Sequence, residues 1–254
     1  MFASVLVALA GKAESRDALV LAAQLAGADG RIVVAHVMTT SAEPLSGGGE
    51  AAARRRACLR DAGEEVYATL GPDARVRYLP ISGVPFAEAV RSVARREGAD
   101  AVVLGQNLLD HDPGAREFLA TAPCPVAVAP YGHRFVRGFA PARITVACGP
   151  PGPADGAVRL ATVLAERAGA HVRLIVAGAN RAEEWLAHAQ GLAPAAAATR
   201  VAGRGPAALM AQTRGDSDVM VTAGADDELL RQARCPVLVV PPPDRAARSV
   251  AAYA

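Results

Sequence analysis

Short unbroken apolar runs alternate with segments of helical period along this chain, and the whole alternation occurs twice. "SVLVALA" (4–10) is a continuous apolar run with the length of a buried strand. Residues 14–27 carry apolar positions at Ala18, Leu21, Ala22 and Leu25, a helical face that stops at Gly27. "RIVVAHV" (31–37) predicts a second strand, "SGGGE" (46–50) a flexible loop, and residues 50–69 a long polar helix. "ARVRYLP" (74–80) alternates as a third strand ending at Pro80, and "PFAEAVRSVARREG" (85–98) reads as a helix opened by proline and closed by glycine. "DAVVLG" (100–105) predicts the fourth strand, Gly114–Ala120 a short helix, and "CPVAVAP" (124–130) the fifth strand.

The pattern then restarts. "PYGHRFVRGFAPA" (130–142) has the composition of a linker. "RITVACG" (143–149) repeats the first strand, "ADGAVRLATVLAERAG" (154–169) the first helix and "HVRLIVAG" (171–178) the second strand. "GPAALMAQTRG" (205–215) is a shortened form of the helix at Pro85, "DSDVMVTAG" (216–224) repeats the fourth strand, and "ARCPVLVVP" (233–241) closes as "APCPVAVAP" does. Only "AEEWLAHAQGLA" (182–193) stands where the second helix should be, so that helix is expected to have lost most of its length. Strands that read as unbroken apolar runs between helices imply a mainly parallel α/β sheet covered on both faces. Repetition in order implies a tandem duplication, with a first unit at 1–130, a linker at 131–142, a shortened second unit at 143–241 and a tail at 242–254.

Composition narrows the partners. The chain has 254 residues, 52% of them hydrophobic and 20% charged, which suits packed globular structure. A net charge of +2 gives no reason to expect a polyanion. "RRR" (54–56) and "RSVARR" (91–96) read as solvated helix faces with few aromatics nearby to stack bases, so no nucleic acid partner is expected. Cys58, Cys124, Cys148 and Cys235 show no metal-ligand spacing, and the last three are expected to behave as small buried hydrophobes. The apolar stretch Phe2–Ala10 is too short for a membrane span and lacks a basic leader, so a cytoplasmic protein without a membrane partner is expected.

"VLVAL…ESRDALVLAAQLA…IVVAHV", "GVPFAEAVRSVARREGADAVVLG" (83–105) and the closing "APCPVAVAP" together resemble the universal stress protein family over nearly all of 1–130, and a weaker set covers 143–241. The resemblance implies two tandem universal-stress-type domains, adenine nucleotide alpha hydrolase-like and Rossmann-like. Each would be a five-stranded mainly parallel sheet with flanking helices. It also implies that the final strands of the two copies, Cys124–Ala129 and Cys235–Val240, pair antiparallel within one chain, which would account for the repeated Cys-Pro-Val.

Family members that bind ATP carry an acidic residue after the first strand. In them a Gly-rich loop after the fourth strand converges its N–H groups on phosphate. Here the acidic positions are Ala10 and Gly149. Gly105 is kept, but "QNLLDHDP" (106–113) is short, has no glycine and brings in Asp110 and Asp112, while Pro113 removes a donor. In the second copy Gly224 runs straight into Asp226, Asp227 and Glu228, and Pro150, Pro151 and Pro153 lack N–H groups. Two carboxylates beside a triphosphate oppose binding by on the order of several kcal/mol at an effective dielectric near 20. Binding of ATP through the family's loop is therefore expected to be lost, with no cofactor.

Three functions of different classes remain. The first is a non-enzymatic stress-response or regulatory protein whose tandem pair binds protein partners. The second is a residual binder of ATP or AMP, its cleft lined by Ala8, Leu9, Ala10, Val37, Gly83, Gly105, Gln106 and Asn107, where an open α/β sheet places its ligand. The third is a nucleotide hydrolase using His111 between Asp110 and Asp112, although no nucleophile or third ligand accompanies it. Neither a P-loop nor a nucleophile elbow occurs, and His36 reads as a packed histidine at a strand.

Overall fold

The computed structural model describes residues 2–10, 16–27, 29–38, 49–71, 75–136, 140–178, 180–203, 205–213 and 218–241. The first unit runs β1 (Ser4–Leu9), α1 (Arg16–Ala26), β2 (Arg31–Met38), α2 (Gly49–Leu70), β3 (Val76–Ser82), α3 (Phe86–Arg96), β4 (Ala101–Gly105), α4 (Gln106–His111), α5 (Pro113–Thr121) and β5 (Val126–Ala129). The second runs β6 (Arg143–Ala147), α6 (Asp155–Ala168), β7 (His171–Ala177), α7 (Ala182–Leu192), β8 (Ala197–Val201), α8 (Gly205–Met210), β9 (Asp218–Ala223), α9 (Asp227–Gln232) and β10 (Val237–Val240).

All ten strands form one sheet in the order β3-β2-β1-β4-β5-β10-β9-β6-β7-β8. Each half therefore has the doubly wound order 3-2-1-4-5, and its internal pairings are parallel. The halves meet where β5 and β10 pair antiparallel, with Val128 opposite Val237, Ala127 opposite Leu238 and Val126 opposite Val239. Both strands are buried along their whole length, so neither could remain as a solvated edge. The Cys-Pro pair before each of these strands is used in the same way in both halves. Cys124 and Cys235 fill the core, while the Pro125 and Pro236 carbonyls accept from the N–H groups of Val102 and Met220, each at 2.9 Å.

Strand alternation divides the core between two faces. Val5, Val7 and Leu9 of β1 face the layer of α1, α2, α6 and α7, and Leu6 and Ala8 face that of α3, α4, α5, α8 and α9. The helix stops repeat too, since Gly27 after α1 (φ 68°) and Gly169 after α6 (φ 65°) both take the left-handed conformation that closes a helix without a Cβ clash.

Several expectations are revised. β3 runs through Pro80 to Ser82; it is an outer strand of the sheet, where a missing N–H breaks no ladder. Of the expected loop at 46–50, Gly49 and Glu50 already belong to α2, and 46–48 lie outside the described residues, as do the tail at 242–254 and the segment 11–15 after β1. The segment 106–113 is no loop: α4 starts at the residue after Gly105. By register Gly105, opposite Ala129, corresponds to Ala223, opposite Val240, and not to Gly224. α7 has 11 residues against 22 for α2.

Candidate functional site

In a doubly wound sheet the ligand crevice lies at the carboxyl ends of the strands, between β1 and β4 in the first unit. Ala8, Leu9 and Val37 come close to that end, but their side chains are packed into the core, at most 5% exposed. Ala10 is half-buried, Gly83 sits exposed at φ 79°, and Gly105 is buried in extended conformation as the residue before α4. Asn107 is half-buried on α4.

Gln106 is 4% exposed and its amide is engaged on both sides. Its Nε2 donates to the carbonyls of Leu230 (2.7 Å) and Arg231 (2.8 Å), and its Oε1 accepts from the Tyr131 N–H (3.0 Å). A helix leaves its last carbonyls without partners, and here the first unit supplies them to α9 of the second.

The starts of α5 and α9 carry their own anions, whereas α4, which follows β4 directly, is preceded by Gly105 and has no side-chain cap. Asp112 Oδ1 accepts from the Gly114 N–H at 2.8 Å, with Pro113 in the first turn of α5. Asp226 Oδ1 accepts from the N–H groups of Glu228 (3.0 Å) and Leu229 (2.9 Å) at the start of α9. These N–H groups are what a phosphate would need. Of the remaining residues in the Asp110–Asp112 triplet, Asp110 accepts from the Tyr131 hydroxyl at 3.1 Å and His111 is exposed. Among the described residues no group of three or more His, Cys, Asp or Glu side chains could hold a metal ion.

Sequence reasoning missed the anchoring of the linker. Asp17 and Gln24 lie two turns apart on one face of α1, a spacing that could have revealed it. Asp17, 4% exposed, accepts from the N–H groups of Gly132 (3.1 Å) and Arg134 (2.7 Å). Gln24 Oε1 meets Nε2 of the buried His133 at 2.7 Å, and its Nε2 donates to the Val136 carbonyl at 3.3 Å. Residues 131–136, including a 3-10 turn at His133–Phe135, are thus fixed to the first unit, with the six N–H groups of the segment all donated internally. Burial pushes the His133 imidazole down to about 4, against the opposing pull of Asp17. His36, 3% exposed, holds the Tyr78 hydroxyl at 2.6 Å, and burial lowers its pKa as well.

Beside Tyr131 a groove of about 770 Å³ opens over the seam of the two units, walled by α8 and the end of α9.

Topology and seam together define a tandem doubly wound α/β protein of nucleotide-binding-like fold. A model described as "Universal stress protein family" matches residues 1–130, and the chain belongs to that family. Its fold is similar to that of a universal stress protein from Archaeoglobus fulgidus DSM 4304, with 14% identity, a TM-score of 0.68 and coverage of 94% of this chain and 96% of that one. It is also similar to a functionally unknown protein from Pseudomonas aeruginosa PAO1, with 17% identity, a TM-score of 0.59 and coverage of 99% and 97%. A search of the curated proteins finds no match. No helix among the described residues is long and apolar enough to cross a membrane.

Proposed function

We propose that this protein is a non-enzymatic regulatory member of the universal stress protein family, cytoplasmic, which works by binding protein partners and does not bind ATP through the family's loop. The observation that supports this reading is the pair of aspartate caps. Asp112 and Asp226 take N–H groups at the starts of α5 and α9, the helices before the last strand of each copy, so a phosphate there would compete with a carboxylate. A bound phosphate would have to displace a carboxylate and then sit beside it, two unfavourable steps at one place. Among the described residues neither Asp110 nor Asp112 hydrogen-bonds His111, Asp110 accepting from Tyr131 and Asp112 from Gly114, which weighs against hydrolysis.

The test is the nucleotide content of purified protein after denaturation, together with thermal unfolding with and without millimolar ATP and magnesium. Ligand that binds only the native state must raise the midpoint. The expected result is no released nucleotide and no shift. A rise of several degrees would overturn the proposal and favour a residual ATP or AMP site near Gly83, Gly105 and Asn107. Release of phosphate from ATP that His111→Ala abolishes would favour the hydrolase.

A further inference from the structure

We infer that the groove over the seam of the two repeats is a binding site for a small planar organic anion, one or two fused rings bearing a carboxylate, sulfonate or phosphate. A volume of about 770 Å³ falls within the range of small-molecule sites, ~300–1,000 Å³. Its position is created by the seam, since Gln106 comes from the first unit, Tyr131 from the linker fixed to it, and Met210, Thr213, Arg231 and Arg234 from the second unit.

Tyr131 forms one wall and is held at both ends. Its N–H donates to Gln106 and its hydroxyl to Asp110, yet the residue is 56% exposed. A ring fixed in advance and still open to solvent offers a stacking surface whose ordering need not occur on binding. Met210 supplies a soft apolar floor, and the Thr213 hydroxyl is turned away by donating to the Met210 carbonyl at 2.9 Å.

Charge selects the sign of the ligand. Among the described residues the charged side chains that line the groove are those of Arg231 and Arg234. Three carboxylates stand nearby: Glu228 pairs with Arg231 at 3.0 Å, Asp110 accepts from the Tyr131 hydroxyl, and Asp227 shares the adjoining hollow with Gln106 and Arg231, so the cation left to a ligand is Arg234. Arg231 is steadied further by donating Nε to the Asp227 carbonyl at 3.2 Å. Arg234, exposed at the mouth, makes no hydrogen bond or ion pair among the described residues. A guanidinium in that position recognises an oxyanion by paired N–H bonds.

The experiment is an NMR titration of protein labelled at the methionine methyls with 2-naphthoate, with neutral 2-naphthalenemethanol as control. A saturable shift of the Met210 methyl with the Met38 methyl unmoved is expected. The neutral analogue and the Arg234→Gln and Tyr131→Ala variants should each bind at least about tenfold more weakly, the worth of one charge-assisted bond or one stacked ring. The Met220 methyl, in the core of β9, reports that each variant is folded. An unmoved Met210 signal, equal binding of the neutral analogue, or undiminished binding by folded Arg234→Gln would each overturn the inference.

Discussion

Gln106, the first residue of α4, donates its side-chain amide to the carbonyl of Leu230 at 2.7 Å, across the seam and 124 positions along the chain. The same amide reaches Arg231 and holds the first residue of the linker. A side chain that the sequence places in a ligand cleft thus closes the last turn of a helix in the other repeat.

Replacing Gln106 by leucine keeps the volume and removes all three bonds. Two carbonyls and one N–H lose their partner at a site only 4% exposed. Leaving a buried polar group unsatisfied costs about 1–3 kcal/mol. Gln106→Leu should therefore lower stability in urea unfolding by about 3 kcal/mol, partial access of water to the carbonyls offsetting the rest. A change below about 0.5 kcal/mol would show that the amide is dispensable to the seam.

Asp226 takes two N–H groups at the start of α9 and Asp112 takes one at the start of α5. Asp226→Ala should destabilise by about 1 kcal/mol, and Asp226→Ser should recover most of it, because a hydroxyl caps nearly as well. Asp112→Ala should cost less than Asp226→Ala, since it frees a single donor. Urea midpoints of the three variants settle the order.

Stability should fall on mild acidification. His133 in the folded protein takes its proton only at about 4, burial being the main cause, whereas an unfolded histidine does so near 6.5. Between these values the unfolded chain binds more protons, so stability rises with pH by up to about 1.4 kcal/mol per unit, and the contribution is complete only above pH 6.5. His36, shifted in the same direction, adds to the slope. Unfolding free energies at pH 7 and pH 5 should differ in the native sequence and differ less in His133→Asn. The His133 ring signals should remain those of neutral imidazole at pH 5.

Burial raises the thiols of Cys124 and Cys148 to about 12 and that of Cys235 to about 11. The thiolate is the reactive form, so these three should stay unmodified by iodoacetamide at neutral pH in the native state and react in urea. Mass spectrometry of the peptides gives the readout. Rapid native labelling of Cys124 or Cys235 would mean that the β5–β10 seam opens.

Fold class was legible in the sequence because it rests on local pattern. Short unbroken runs bounded by turn residues, such as "VVLG" and "VLVV", read as strands buried on both faces, and the helical face of α3, with Phe86, Val90 and Val93 buried, is written in its spacing. Boundaries that depend on neighbours were not. Whether Pro80 ends β3 turns on which side of the strand carries a partner, and only the sheet order answers that. The segment "QNLLDH" looked like a loop because it replaces one in the resembling family; as α4 it buries Leu108 and Leu109 against the sheet.

By itself the sequence determined that one α/β unit is built twice, through the repeat of its apolar runs and of Cys-Pro-Val. The tertiary structure alone decided what the polar residues near the seam do. Gln106 and Leu230, or Asp17 and Arg134, are more than a hundred positions apart, and hydrogen bonds at such separation follow from packing, on which no local periodicity reports. The groove beside Tyr131 has the same origin, because its walls come from two repeats that meet only when β5 finds β10.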